Sequence, residues 1–405
     1  MITLLLIIFY LFDEILNKYL PVSSGSFIIV IILIFLFRNN FLSIKKDFRY
    51  AGLYAITLYI AGLIGGSITH SNPGFFSAVT ILLMVWLWSF GKSKSSILFI
   101  ISPTFSLLAS YFAVTCLYIS VLFGFDMFFV LTGESSNRPC GLYSEPSHLA
   151  LYLMPLLMIS WSNKYYRKHV LFLFFALAYG AFSLTLILCG LVGFLFLWVN
   201  LNLINFSLRR FLFGLIKLSF ILFIGLSVLS PSIDINGARA SDYVSDRVIG
   251  LIQPSLSSST NLSSLVFLQG IELAFNSLIE SYGLGVGLGN MGFSEEIIRG
   301  SLYHDIILSY GIELNLRDGS FLFSKLVAEI GLLSLIFILA LIRAIKQVVQ
   351  LPGGDIKSYY MSFLALAVCI LFVRSLPYFA APTCLALLSI SSMYYKTPKK
   401  VIFDI

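Results

Sequence analysis

The stretch NRPCGLYSEPSHLALYL, residues 137–153, gathers Arg138, Glu145 and His148 just where a long apolar run begins. These types suffice for acid–base work on a charged substrate. A guanidinium fork grips phosphate or carboxylate through paired donors, and a carboxylate or imidazole takes a proton from an attacking hydroxyl. Pro146 suits the first position of a helix and Ser144 or Glu145 suits its cap, so the helix would aim its first amides at the same corner and attract anions. Glu145 is then either a capping group or the general base. His148, two residues into the helix, either orients substrate or anchors the helix at an interface.

The elements that must position this corner are hydrophobic helices. The chain has 405 residues, 59% hydrophobic and 11% charged, and its apolar runs recur at lengths suited to a bilayer, where about 20 residues span the core. The expected fold is an all-α polytopic integral membrane protein. Its spans read 1–12, 22–37, 50–69, 74–90, 97–124, 147–163, 170–181, 183–201, 211–229, 321–342, 359–376 and 378–395, about twelve transmembrane helices in one membrane domain covering 1–405. Met1 to Phe12 lacks the basic start and cleavage site of a signal peptide, so it is expected to stay as a span, and no soluble domain is expected before or after the membrane part. Most of the 26 Lys and Arg fall on the side of the two termini, which the positive-inside rule makes cytoplasmic. Four cysteines lie inside spans and Cys140 stands alone in an outer loop, so no disulfide framework is expected.

Two connections on the opposite, outer side are long: a shorter loop over 125–146 and a large one over 230–320. The outward cations are Lys18, Arg138, Arg239, Arg247, Arg299, Arg317, Lys325 and Arg374. Arginine dominates there while lysine dominates inside, as expected if planar forks are wanted for an anionic group and topology needs only charge. The alternative is pairing with loop acids such as Asp242, Asp246, Glu295 and Asp318. Within the large loop, 262–282 reads as an amphipathic helix, with Leu268, Ile271, Phe275, Leu278 and Tyr282 on one face, suited to covering the membrane mouth or packing on the outer ends of the spans. The glycines of GLGVGLGNMGF follow a helix rather than a strand, so they are no dinucleotide fingerprint; they either bring amides to an anion or let the loop turn. His304 is a further candidate base.

Walker A, Asp-x-Asp, clustered metal ligands and a nucleophile elbow are all missing from the sequence. Catalysis would then proceed without cofactor or metal on a substrate that carries its own leaving group, and the basic charge implies topology rather than nucleic-acid binding.

The order and spacing of RPCGLYSEPSHLA, a long outer loop, GLGVGLGN and DGSFLFSKLVAEIGLLS resemble the Wzy-type O-antigen polymerases, relatives of the O-antigen ligases. The resemblance covers about 125–340 in motif and the rest in topology; an Arg-x10-Gly element fits Arg239 to Gly250. It implies a membrane-embedded, GT-C-like glycosyltransferase of the bacterial inner membrane. That enzyme moves a growing glycan from undecaprenyl diphosphate onto an incoming lipid-linked repeat at the periplasmic face. Membrane lipid and a polysaccharide chain-length regulator would be its partners. The candidates for such a reaction are Arg138, Arg239, Arg247, Arg317 and Arg299 for diphosphate binding and Glu145, His148, His304 and Asp318 for acid–base chemistry, with the base among them left unassigned. Ligases of the same group carry a histidine where this chain reads Arg317, Asp318, Gly319, Ser320, which favours polymerase over ligase. A lipid-linked oligosaccharide flippase is the alternative of another class, although such proteins tend to carry mid-membrane charges and related halves.

Overall fold

The computed structural model describes residues 8–19, 45–70, 75–93, 102–133, 140–181, 183–202, 234–235, 238–239, 262–309, 320–351, 355–374, 376, 378 and 380–395. Among them the regular structure is helical apart from one short antiparallel pair. In chain order the helices are α1 Asp13–Tyr19, α2 Lys45–Ile68, α3 Phe75–Ser93, α4 Pro103–Phe123, α5 Met127–Thr132, α6 Pro146–Trp161, α7 Arg167–Gly180, α8 Leu184–Asn202, α9 Leu262–Glu280, α10 Glu295–Ile298, α11 Leu302–Ser309, α12 Leu322–Ile330, α13 Leu335–Val349, α14 Asp355–Phe372 and α15 Ala381–Tyr395. Strands β1 Asp234–Ile235 and β2 Ala238–Arg239 pair with Asp234 opposite Arg239. The predicted spans 22–37 and 211–229 lie outside the described residues.

Two units divide the chain. The first comprises Met1–Lys46, Leu87–Phe211 and Leu339–Ile405; the second comprises Asp47–Trp86 and Leu212–Ile338.

The first unit is built around α6, which packs against α4, α7, α8, α14 and α15. A helix apolar on every side is kept from water by protein or by lipid, and α6 is buried in protein from Pro146 through Ser160 almost without break. Pro155 removes one rung of its hydrogen-bond ladder. Hydroxyls survive in this apolar setting by bonding backbone carbonyls. Ser160 donates to Leu156 O at 2.8 Å, and Ser362 of α14 donates to Met158 O at 2.8 Å. Small residues set the spacing: a Cβ on Gly193 of α8 would come within 2.2 Å of Met158 Cε.

Helix ends follow local chemistry. Ser102 accepts from Phe105 N ahead of Pro103, and Gly124 closes α4 at φ 62°. Pro103, expected inside a long span, instead starts the helix, because a proline at the first position loses no hydrogen bond. The turn expected between Tyr179 and Ser183 is present: α7 ends at Gly180, and Ser183 Oγ accepts from Leu186 N at 3.1 Å to open α8.

In the second unit α9 packs against α12, α10 and α11. Its buried face carries Leu265, Val266, Gln269, Leu273, Ala274 and Ser277, while Ile271, Phe275, Ile279 and Tyr282 are exposed. The face read from the sequence as apolar is therefore the outward one. Close approach to α12 selects small side chains, and Ser277 Oγ reaches Ala328 O across that contact.

Several helices leave large apolar side chains exposed: Leu53 and Ile56 on α2, Leu108 and Phe112 on α4, Phe172 and Phe175 on α7. Pro103–Phe123 and Leu322–Val349 are long and apolar enough to cross a membrane, the latter through a 3-10 turn at Gly331–Ser334.

Candidate functional site

Four ionisable side chains from three distant segments meet at the start of α6. His148 Nδ1 lies 3.1 Å from Glu14 Oε1 of α1, and Ser144 Oγ lies 3.1 Å from the same ring nitrogen. Ser144 donates to Glu14 Oε1 from both its hydroxyl and its amide, the amide at 3.2 Å. Arg374, just past the end of α14, places Nη2 3.5 Å from Glu145 Oε2. Ser147 Oγ donates to that same oxygen at 2.8 Å.

Pro146 occupies the first position of α6 as the sequence predicts, but the Glu145 side chain makes no hydrogen bond to the first-turn amides. Its carboxylate is held by Ser147 and Arg374 instead. A carboxylate that does not cap its helix is available for other chemistry, although this one already carries two donors.

The corner rests on a buried polar floor. Asp13, next to Glu14, is fully buried and accepts from Tyr152 OH at 2.7 Å and from Ala381 N at 2.9 Å. It thus caps α15 from outside, where a carboxylate also meets the positive end of that helix. Tyr10 donates to Tyr152 O at 2.9 Å, and the Tyr143 and Tyr152 rings lie 5.0 Å apart. Burial foremost, then the nearby Tyr10, Glu14 and Asp13, hold the Tyr143 phenol well above its usual value, so it is a neutral donor.

Among the described residues Glu14 Oε2, the Tyr143 hydroxyl and Arg374 Nε are buried without a hydrogen-bond partner. Buried polar atoms are nearly always paired, because leaving one unpaired costs about 1–3 kcal/mol. Tyr54 OH and Ser106 Oγ are in the same state elsewhere among the described residues, so these three atoms add to the corner's polarity without defining a ligand by themselves.

The far end of α6, 16 residues away and roughly 24 Å along the axis, has different chemistry. There the Arg167 guanidinium stands 5.8 Å from the Trp161 ring, Lys164 Nζ lies 5.1 Å from the Tyr165 ring, and Tyr111 OH lies 2.7 Å from His169 Nδ1. Aromatic side chains interleaved with cations are characteristic of a membrane–water boundary.

The other sequence-predicted residues stand elsewhere. Arg138, Arg247, Arg317 and Asp318 lie outside the described residues, and Arg239 is described only as backbone in β2. Arg299, in the second unit, forms an exposed pair with Glu295 at 2.8 Å. His304, also there, is buried, with Nδ1 3.1 Å from Gln269 Nε2. With the amide as donor, Nδ1 accepts and the ring proton sits on Nε2, an arrangement that donates outward.

The glycine-rich segment resolves in favour of packing. Gly285 N donates to Ser281 Oγ, Val286 N to Ala328 O, Gly287 N to Glu329 O and Gly289 N to Glu329 Oε2, at 2.7, 3.1, 2.8 and 2.8 Å. Those amides are committed to the protein. The glycines are needed because backbones touch: a Cβ on Gly65 would sit 1.8 Å from Gly285 O, and one on Gly331 1.9 Å from Gly283 O.

Glu14 is the site residue that sequence reasoning leaves out of the chemistry, and Arg374 enters it only as one of the outward arginines. Asp13 and Glu14 follow an apolar run, and Arg374 is a lone cation between two apolar runs. The meeting of Glu14 and Arg374 with Glu145 and His148 is tertiary, and spacing along the chain does not encode it.

Comparison of the chain with family models, with curated proteins and with solved structures finds no match.

Proposed function

We propose that this chain is a polytopic membrane glycosyltransferase that polymerises lipid-diphosphate-linked oligosaccharide repeats at the outer face of the bacterial inner membrane. The observation that carries this reading is the corner at the start of α6: a carboxylate–imidazole pair beside a guanidinium, with three buried polar atoms unpartnered. Such a set serves an acceptor hydroxyl and an anionic leaving group together.

The membrane part of the proposal draws on the exposed apolar stripes, on the two helices of sufficient length and on the contrasting ends of α6. Large apolar side chains exposed along helices are costly in water and favourable in lipid. The positive-inside rule puts the Lys164–Lys168 end in the cytoplasm and the Glu145 end outside. The shorter apolar helices would need tilt or local thinning of the bilayer to complete the set.

In the proposed reaction, the hydroxyl at the non-reducing end of an incoming repeat attacks the anomeric carbon of the growing chain. The bond from that carbon to the diphosphate oxygen breaks, and its electron pair leaves with the lipid diphosphate. Glu145 or His148 receives the hydroxyl proton, and Arg374 faces the developing negative charge. Arg138, Arg239, Arg247, Arg317 and Arg299 are proposed separately as loop ligands for the substrate's diphosphate. If fork geometry is what matters there, Arg→Lys loses activity while the charge is kept. A chain-length regulator is the protein partner proposed.

Deleting the gene and separating surface lipopolysaccharide on a gel tests the reaction class. Cores capped by a single repeat are expected. Bare cores with polymer accumulating on lipid would indicate a ligase instead, and single repeats trapped inside the cell a flippase.

A further inference from the structure

We infer, resting on the glycosyl-transfer reading, that Glu14 is a positioning residue that fixes the tautomer of His148 and makes its Nε2 the acceptor of the proton.

The hydrogen-bond directions dictate the tautomer. Glu14 Oε1 receives the Ser144 hydroxyl and the Ser144 amide, so it is committed as an acceptor. Ser144 Oγ has given its own proton to that oxygen and meets the imidazole as an acceptor too. His148 Nδ1 stands 3.1 Å from each of the two oxygens. Facing two acceptors, Nδ1 must carry hydrogen, so the neutral ring keeps its lone pair on Nε2. This is the arrangement in which a carboxylate orients a histidine and raises the basicity of its far nitrogen. It is not a serine-nucleophile relay, because Ser144 and Glu14 crowd the same ring nitrogen.

Glu145 is the weaker base of the two. Its Oε2 already takes Ser147 Oγ at 2.8 Å and Arg374 Nη2 at 3.5 Å. The other charged or titratable groups around the ring's corner are Arg374, Asp13, Tyr143 and Tyr152. Asp13 is engaged by Tyr152 OH and Ala381 N, and the two phenols are neutral donors. In the step itself the proton of the acceptor hydroxyl passes to Nε2 as the oxygen bonds to the anomeric carbon and the diphosphate departs. Glu14 touches no reacting atom.

The tautomer is measurable without turnover. The chain has 4 histidines, so nitrogen-15 NMR of histidine-labelled full-length protein in lipid nanodiscs, with His148→Ala for assignment, resolves the ring of interest. Wild-type His148 is expected to show a protonated Nδ1 and a bare Nε2. Glu14→Ala should switch it to the Nε2–H form usual in water, and Glu14→Asp should restore the original form in part. Assayed with a purified lipid-diphosphate oligosaccharide, Glu14→Ala is expected to lose about 10²-fold in kcat, with KM changed less than about twofold, and Glu14→Asp to recover part of that loss. A wild-type ring with its proton on Nε2 overturns the inference, as does a Glu14→Ala variant with unchanged tautomer or unchanged kcat. Failure of the wild type to extend the substrate counts against the glycosyl-transfer reading alone, since the tautomer is read independently.

Discussion

The glycine turn of the second unit and the α6 corner of the first both bring polar groups into buried places, and they treat them in opposite ways. In the turn, the amides of Gly285, Val286, Gly287 and Gly289 all end on protein oxygens. At the corner, Glu14 Oε2, Tyr143 OH and Arg374 Nε have no partner among the described residues. The turn's amides are spent on holding the fold together, whereas the corner gathers titratable side chains from three segments at one helix start. The sequence makes the turn look as much like an anion cradle as the corner looks like an acid–base site, and the destination of the amides separates them, since those of the turn end on protein oxygens.

The sharpest way to break this contrast is to put a side chain into the turn. Gly331 has φ +57°, and its Cβ would lie 1.9 Å from Gly283 O. Gly331→Ala is expected to cost about 3–5 kcal/mol, read as loss of folded protein by size-exclusion profile and thermal melt. Gly289→Ala is the internal control, since φ is +84° there but nothing lies within 4 Å; it should cost only about 1–2 kcal/mol for the left-handed backbone. Equal tolerance of both would mean that the segment is not a packing device.

Asp13 sharpens the comparison inside the first unit, because it is a neighbour of Glu14 with the opposite status. Its carboxylate accepts from Tyr152 OH and from Ala381 N. Asp13→Ala strands those buried donors and is expected to cost about 2–3 kcal/mol of stability, while the molecules that remain folded turn over at the wild-type rate. A specific loss of kcat without loss of stability would move Asp13 from the floor into the chemistry.

Arg299 gives the smallest effect. Its pair with Glu295 is largely exposed and joins the first residue of α10 to the residue just past its end, and exposed pairs of this kind contribute at most about 0.5 kcal/mol. Arg299→Ala should leave the melting temperature within about a degree. An activity loss at unchanged stability supports its proposed role toward the diphosphate, whereas unchanged activity assigns it to the surface pair.

What was legible in the sequence is what local periodicity and helix-end chemistry control. Pro146 at the start of α6, Ser183 opening α8 and the helix around 262–280 follow from residue types within a few positions. The apolar face of α9 with Ile271, Phe275 and Tyr282 is exposed, while Leu273, Ala274 and Ser277 on the opposite face are buried and α9 packs against α12, a partner that periodicity does not specify. At the site, Glu145 and His148 were legible through motif and helix start. Their meeting with Glu14 and Arg374 was not, because it closes loops of well over a hundred residues, |i−j| being 134 for Glu14 with His148 and 229 for Arg374 with Glu145.

Whether the α6 corner performs the chemistry is tested most directly by the product ladder of one variant. His148→Gln retains an amide near Glu14 and removes the imidazole, so the helix start should be preserved. Purified full-length protein would be incubated with a lipid-diphosphate oligosaccharide and excess chelator, and chain lengths separated on a gel beside a measure of folded protein. Wild type is expected to build a ladder under chelation, and His148→Gln, equally abundant and equally stable, to stop at the single repeat. A full ladder from abundant His148→Gln would contradict the assignment of catalysis to this corner.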